Sequence, residues 1–212
     1  MPISIEKKLI FVRIPNESEA RITDLLDLED KQAHGISYYI DNYLKAFTGT
    51  SKVCVIRNPW DRFALFFELV KEDEEALDHK LLKDKTFAEF VEDFKDNRGE
   101  YKNACWLPQT AWIWSEYGPI MNHIFVEDPE YLETPQFTDL AEQIKKFLNI
   151  EIDVPEIDRE AALDRRERLY TKELVDTVST FYKHDVQAFS YVYEHLSEEE
   201  EPLVVSTKPP VE

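Results

Sequence analysis

Apolar residues in this chain fall into short β-branched runs separated by longer stretches with helical spacing. Leu9–Ile14 (LIFVRI), Val53–Ile56 (VCVI) and His123–Glu127 (HIFVE) read as three strands. Ala20–Leu28 is a short helix candidate. Ile36, Ile40, Tyr43, Leu44 and Phe47 share one helical face, with Gly49 placed as a C-cap glycine. Trp60 to Val70 predicts a helix with the stripe Phe63, Phe66, Phe67 and Val70. Lys71–Lys85 is a charged excursion expected to be exposed. Thr86-Phe87-Ala88-Glu89 has capping-box spacing and opens a helix carrying Phe87, Phe90, Val91 and Phe94. Gln109–Glu116 is a further helix candidate. Phe137–Leu148 is amphipathic, with Leu140, Ile144, Phe147 and Leu148 inward. Glu173–Tyr193 reads as one long final helix carrying Leu174, Val178, Phe181, Val186 and Phe189.

Strands separated by helices imply an α/β fold with a mainly parallel central sheet flanked by helices. A length of 212 residues suits one such domain over 1–196. The acidic run Ser197–Glu201 and the following PLVVSTKPPVE predict a disordered tail over 197–212.

Composition narrows the classes. At 43% hydrophobic and 13% aromatic, the chain is globular in composition. No apolar run is long enough to span a bilayer. The opening MPISIEKKLIFVRI is too soon interrupted by charge for a secretory signal, so the expectation is a cytoplasmic protein. A net charge of −19 argues against nucleic acid and anionic membranes as partners. It also works against a polyanionic nucleotide unless local basic groups override the global field. Cys54 and Cys105 fit no metal or redox spacing and read as buried thiols; no metal is expected.

The richest stretch is Val53–Phe67, VCVIRNPWDRFALFF. Arg57 follows the strand directly, and Pro59 suits the first turn of a helix. Open α/β sheets bind ligands at this strand end, where helix N–H groups also meet anions.

Strand-RNPWDR-helix resembles the 3′-phosphate-binding element of sulfotransferases that use 3′-phosphoadenosine-5′-phosphosulfate (PAPS). The resemblance runs from Lys8 to Tyr193. Leu9–Pro15 is similar to the first strand of the carbohydrate-type enzymes, lifvHIPKTGGTS. Phe87–Phe94 resembles a later sFeeF segment, and Gln109-Thr110 with Gly118 a Qt…G stretch. His123–Glu127 resembles a strand ending in Glu, and Tyr170–Tyr191 the closing helix, with Asp185, Phe189 and Tyr191 in register. The resemblance implies a three-layer sandwich related to P-loop kinases. It also implies sulfuryl transfer from PAPS to a hydroxyl of a carbohydrate-like acceptor, leaving adenosine 3′,5′-bisphosphate. Arg57, Asn58 and Arg62 would serve the 3′-phosphate, and the Pro15–Arg21 turn the 5′ end.

That turn departs from the family's Pro-Lys-Thr-Gly-Gly-Thr-Ser. Asn16 stands at the lysine position, and Ser18 and Glu19 at the glycine positions. The family's glycines admit phosphate to backbone N–H groups, and its lysine stabilises the bridging oxygen. Glu17 and Glu19 would each oppose the donor's charge by on the order of several kcal/mol. Leu65 replaces the serine that bonds the 3′-phosphate. Arg13 and Arg21 flank the turn, either as replacement phosphate ligands or as partners of Glu17 and Glu19. Arg165, Arg166 and Arg168 form a basic cluster with two readings, a donor cover or a solvated helix face. His34, Glu68 and His123 are the general-base candidates. Trp106, Trp112, Trp114 and Tyr117 either line an acceptor groove or pack the core. These departures predict sulfuryl transfer that is weakened or lost, or alternatively a non-catalytic binding or assembly module.

Overall fold

The computed structural model describes residues 3–4, 8–16, 22–24, 26, 28, 33–116, 118–128, 139–149, 151 and 158–193. The chain divides into two compact units. One comprises Met1–Arg57, Leu107–Glu130 and Gln136–Ile157. The other comprises Asn58–Trp106, Tyr131–Pro135 and Asp158–Glu212.

The first unit is α/β. Its strands are β1 (Ile3–Ser4), β2 (Leu9–Phe11), β3 (Ser51–Ile56), β4 (Trp114–Ser115), β5 (Gly118–Pro119) and β6 (His123–Val126). The main sheet has the order β1-β2-β3-β6. β1 is antiparallel to β2, while β2, β3 and β6 are parallel. The expected parallel sheet is therefore present. Residues 9–11 and 53–56 are buried without alternation, as strands covered on both faces should be. Leu9, Phe11, Val53, Val55, Phe125 and Ile144 form one core cluster. β2 is shorter than the expected Leu9–Ile14 strand, although Val12 N–H still donates to the Val53 carbonyl at 2.8 Å.

Ile36–Thr48 is helical but broken at Tyr43 (φ −137°, ψ 36°). Gly49 follows this helix without the left-handed backbone of a C-cap glycine; Gly118 (φ 91°) is the only positive-φ glycine among the described residues. The helix expected over Gln109–Glu116 covers only Thr110–Ile113. Trp114 and Ser115 then pair with Pro119 and Gly118 in a hairpin, which the positive φ of Gly118 permits. Leu140–Leu148 is helical, capped by Asp139 and closed by left-handed Asn149. Of the Ala20–Leu28 segment, Ile22–Asp24 is helical. Residues 137–138, Tyr117 and the 197–212 tail lie outside the described residues.

The second unit is helical. Its first helix, Pro59–Glu72, carries Pro at its start and Asn58 as N-cap. Phe63 sits among Phe87, Phe90, Phe94, Trp106, Phe181 and Tyr182, with ring centroids 5.0–6.1 Å away. The capping box at Thr86–Glu89 is formed, and Phe87, Phe90, Val91 and Phe94 are buried.

Two expectations fail in this unit. The 71–85 excursion is not simply exposed: Leu82 is fully buried in a short helix, His79–Leu82. Asp78 is also buried there, because its carboxylate accepts from Lys102 N–H, Asn103 N–H and Trp106 Nε1–H at 2.7–3.1 Å. The long final helix is two helices, Lys172–Phe181 and Lys183–Phe189. Tyr182 between them leaves helical geometry (φ −110°, ψ 26°), with its hydroxyl donating to the Trp106 carbonyl at 3.0 Å. The second piece ends at left-handed Ser190, so Tyr191 and Tyr193 lie beyond it.

Candidate functional site

The register Val53↔His123 through Ile56↔Val126 makes Arg57 and Glu127 the next residues on their strands. Glu127 N–H extends the ladder to the Ile56 carbonyl at 2.9 Å. Parallel register sends both side chains to the same region beyond the strand ends. Arg57 Nη1 lies 3.7 Å from Glu127 Oε2, with both side chains 1% exposed. The strand-end cation is thus buried against a carboxylate from the neighbouring strand.

Side-chain amides complete this edge. Gln109 Oε1 accepts from Arg57 N–H at 2.9 Å, and its Nε2 donates to the Arg57 carbonyl at 2.8 Å. Gln143 does the same for Val126, at 2.8 and 2.6 Å. Each glutamine stands in for an adjacent strand and satisfies backbone groups that burial would otherwise leave costly. Asn16 is buried and donates through Nδ2 to the Val55 carbonyl at 3.1 Å. Arg13 is also buried, and Pro15 is half-buried. Glu17, Ser18, Glu19 and Arg21 lie outside the described residues.

In the second unit, the Asn58 side-chain oxygen accepts from Trp60 N–H (3.0 Å) and Asp61 N–H (3.2 Å). Those are the helix N–H groups that an anion would otherwise contact. Arg62 is buried with its guanidinium 5.3 Å from the Phe66 ring centre, and Leu65 is buried as an apolar residue. Trp60 Nε1–H donates to Ser179 Oγ at 3.0 Å, and its carbonyl accepts from the Tyr170 hydroxyl at 2.7 Å.

The basic cluster belongs to the Arg159–Leu169 helix and is a solvated face only at Arg168, which is exposed. Arg165 bonds Asp61 at 3.0 Å and Glu68 at 2.8 Å; Arg168 bonds Glu68 at 2.5 Å; Arg166 is buried. Glu68 is consequently a poor general base. Burial alone would raise its carboxyl, but the hydrogen bonds from Arg168 and Arg165 hold it below the usual value.

His123 begins β6, four residues before Glu127, hence about 13 Å along the strand from the Arg57 end. Its ring stacks on Phe147 at 4.3 Å, and burial lowers its pKa. It is placed as a packing residue at the opposite end of the strands. The His34 ring stacks on Tyr38 at 3.8 Å. Both cysteines are buried and free, with burial pushing the Cys54 thiol up and Cys105 up to about 12. Trp106 and Trp112 are buried, whereas Trp114 is 43% exposed. Among the described residues no cluster of His, Cys, Asp or Glu could hold a metal ion, and no helix is long and apolar enough to cross a membrane.

Sequence reasoning found Arg57 but gave Glu127, Gln109 and Gln143 no structural role. Glu127 closes an apolar run one residue after its last β-branched position. That is a usable signal once the register with Arg57 is known. No family model, curated protein or solved structure matches the chain.

Proposed function

We propose that this chain is a sulfotransferase-lineage protein in which transfer from PAPS is weakened or lost, leaving the scaffold as a binding or assembly module. The lineage reaction breaks the bond between sulfur and the bridging phosphate oxygen and forms one to an acceptor hydroxyl. The hydroxyl proton passes to a base, and adenosine 3′,5′-bisphosphate departs. The lineage rests on the ordered motifs from Leu9 to Tyr191, on the parallel order β2-β3-β6 and on Arg57 at the strand end. A three-layer, P-loop-like sandwich is part of the proposal.

The observation that carries the loss is Asn16: at the position of the family's lysine stands a buried amide whose Nδ2 donates to the Val55 carbonyl, in place of a mobile charge. In the second unit, Asn58 caps its own helix and Leu65 offers no hydroxyl. None of His34, Glu68 and His123 combines the freedom and placement of a general base.

The test is calorimetric titration of adenosine 3′,5′-bisphosphate, followed by a transfer assay with labelled PAPS and carbohydrate acceptors. The expected result is a dissociation constant of about 1 mM or weaker and no turnover, with Arg57→Ala unchanged. Micromolar binding abolished by Arg57→Ala, together with turnover, would overturn the proposal.

A further inference from the structure

We infer that the cleft between the helices Phe87–Asn97 and Lys172–Phe181 binds a small zwitterion, a free amino acid with an aromatic side chain. This goes beyond the reading given under Proposed function and does not depend on it. Both helices belong to the helical unit, and between them lies a cavity of about 230 Å³ lined by Lys95, Asp176, Thr177, Thr180 and Phe181. Asp176 with Thr180, and Thr177 with Phe181, are i, i+4 pairs, so helical geometry turns all four to one face. Phe181 is half-buried, with its ring centroid 5.2 Å from that of Phe94, and it gives the cavity an aromatic floor.

The polar groups divide by wall. The Thr177 hydroxyl donates to the Glu173 carbonyl at 2.9 Å, and the Thr180 hydroxyl to the Asp176 carbonyl at 3.1 Å. Each hydroxyl has committed its one hydrogen, so its oxygen can only accept from a ligand. Among the described residues the Asp176 carboxylate has no hydrogen-bond or ion-pair partner. This wall therefore offers acceptors alone, which suits an ammonium with its three N–H donors. Lys95 supplies the opposite character from the other helix. Its ion pair with Glu92, at 3.6 Å, is more than half exposed on both sides, so a ligand carboxylate displaces it at little cost. Lys95 and Asp176 thus line one cavity without pairing with each other. A ligand carrying both charges on an apolar frame satisfies both walls and the floor. Size narrows the class further, because the cavity falls below the roughly 300–1,000 Å³ of pockets for drug-sized molecules. A single amino acid fits that limit better than a nucleotide does.

The test is titration of L-phenylalanine into isotope-labelled protein, followed by amide NMR. Saturable shifts are expected on both helices, with a dissociation constant of about 1 mM, the range open to so small a ligand. Lys95→Met keeps the stem and removes the ammonium; Asp176→Asn keeps the shape and removes the charge. Both side chains are exposed, so both variants should fold with an unchanged melting temperature. Each should weaken phenylalanine by about fivefold. Phenethylamine lacks the carboxylate and should respond to Asp176→Asn but not to Lys95→Met. For 3-phenylpropionate, which lacks the amine, the pattern should reverse. That crossed pattern supports the site. No saturation up to about tenfold above the expected constant, a loss confined to one variant or absent from both, or single-charge analogues that bind as tightly as phenylalanine overturns it.

Discussion

Gln109 makes both hydrogen bonds of the Arg57 backbone, accepting at 2.9 Å and donating at 2.8 Å, across 52 residues of chain. The amide does at one point what a further strand would do along its length. Arg57 owes its fixed position to this side chain as much as to β3.

Replacing Gln109 by Leu keeps much of the volume and removes both partners. Two buried backbone groups are then left unsatisfied, so the loss should be about 3 kcal/mol. Urea denaturation monitored by circular dichroism would show a lower midpoint with an unchanged slope. A loss below about 0.5 kcal/mol would mean that the bonds are replaced by water.

How far such features could be read in advance depends on range. The β-branched run at 53–56 and the Thr86–Glu89 capping box are local patterns, and both form. The break at Tyr182 is set by a hydroxyl bond to Trp106, 76 residues away, and nothing in the local helical spacing announces it. Asp78 likewise looked like one more charge in an acidic stretch, because its three N–H donors lie 24–28 residues downstream. Arg57 was legible from RNPWDR. Its counter-ion was not, since that pairing appears only once β3 and β6 are aligned.

Asp78→Ala should remove the anchor of the 71–85 excursion. Its carboxylate gathers three N–H donors in a buried setting. Loss of hydrogen bonds to a charged group should cost about 3 kcal/mol. Limited trypsin digestion should show faster cleavage after Lys80 and Lys83, both exposed in this segment. Unaltered digestion would assign the order of this segment to Leu82 alone.

His123 gives a pH dependence of definite sign. Burial lowers its folded-state pKa below the unfolded value near 6.5. The unfolded chain therefore binds the proton more readily, and stability falls as pH drops below about 6.5. His123→Phe keeps a ring against Phe147 and removes the proton. The variant should lose less stability than the parent between pH 7.5 and 5.5 in urea melts; equal losses would place the titration elsewhere.

Asp93 acts in a lower window. The Lys85 hydrogen bond, then those of Tyr101 and Asn97, hold its carboxyl down to about 2. Its contribution is complete above the unfolded value near 3.9 and is lost as pH falls through about 2. Allowing for solvent at this half-buried pair, about 1 kcal/mol should separate parent from Asp93→Asn at pH 5. That gap should close by pH 2, as read from thermal melts of the two proteins side by side.

Asn58 caps the Pro59–Glu72 helix, its side-chain oxygen accepting from Trp60 and Asp61. Aspartate caps equally well, and its charge favours a helix amino terminus. Asn58→Asp should therefore leave the melting temperature unchanged or slightly raised, whereas Asn58→Ala should cost about 1 kcal/mol. Thermal melts of parent and both variants side by side check this. An equal loss in the two variants would show that the amide donor of Asn58, and not its capping oxygen, is what holds the helix start.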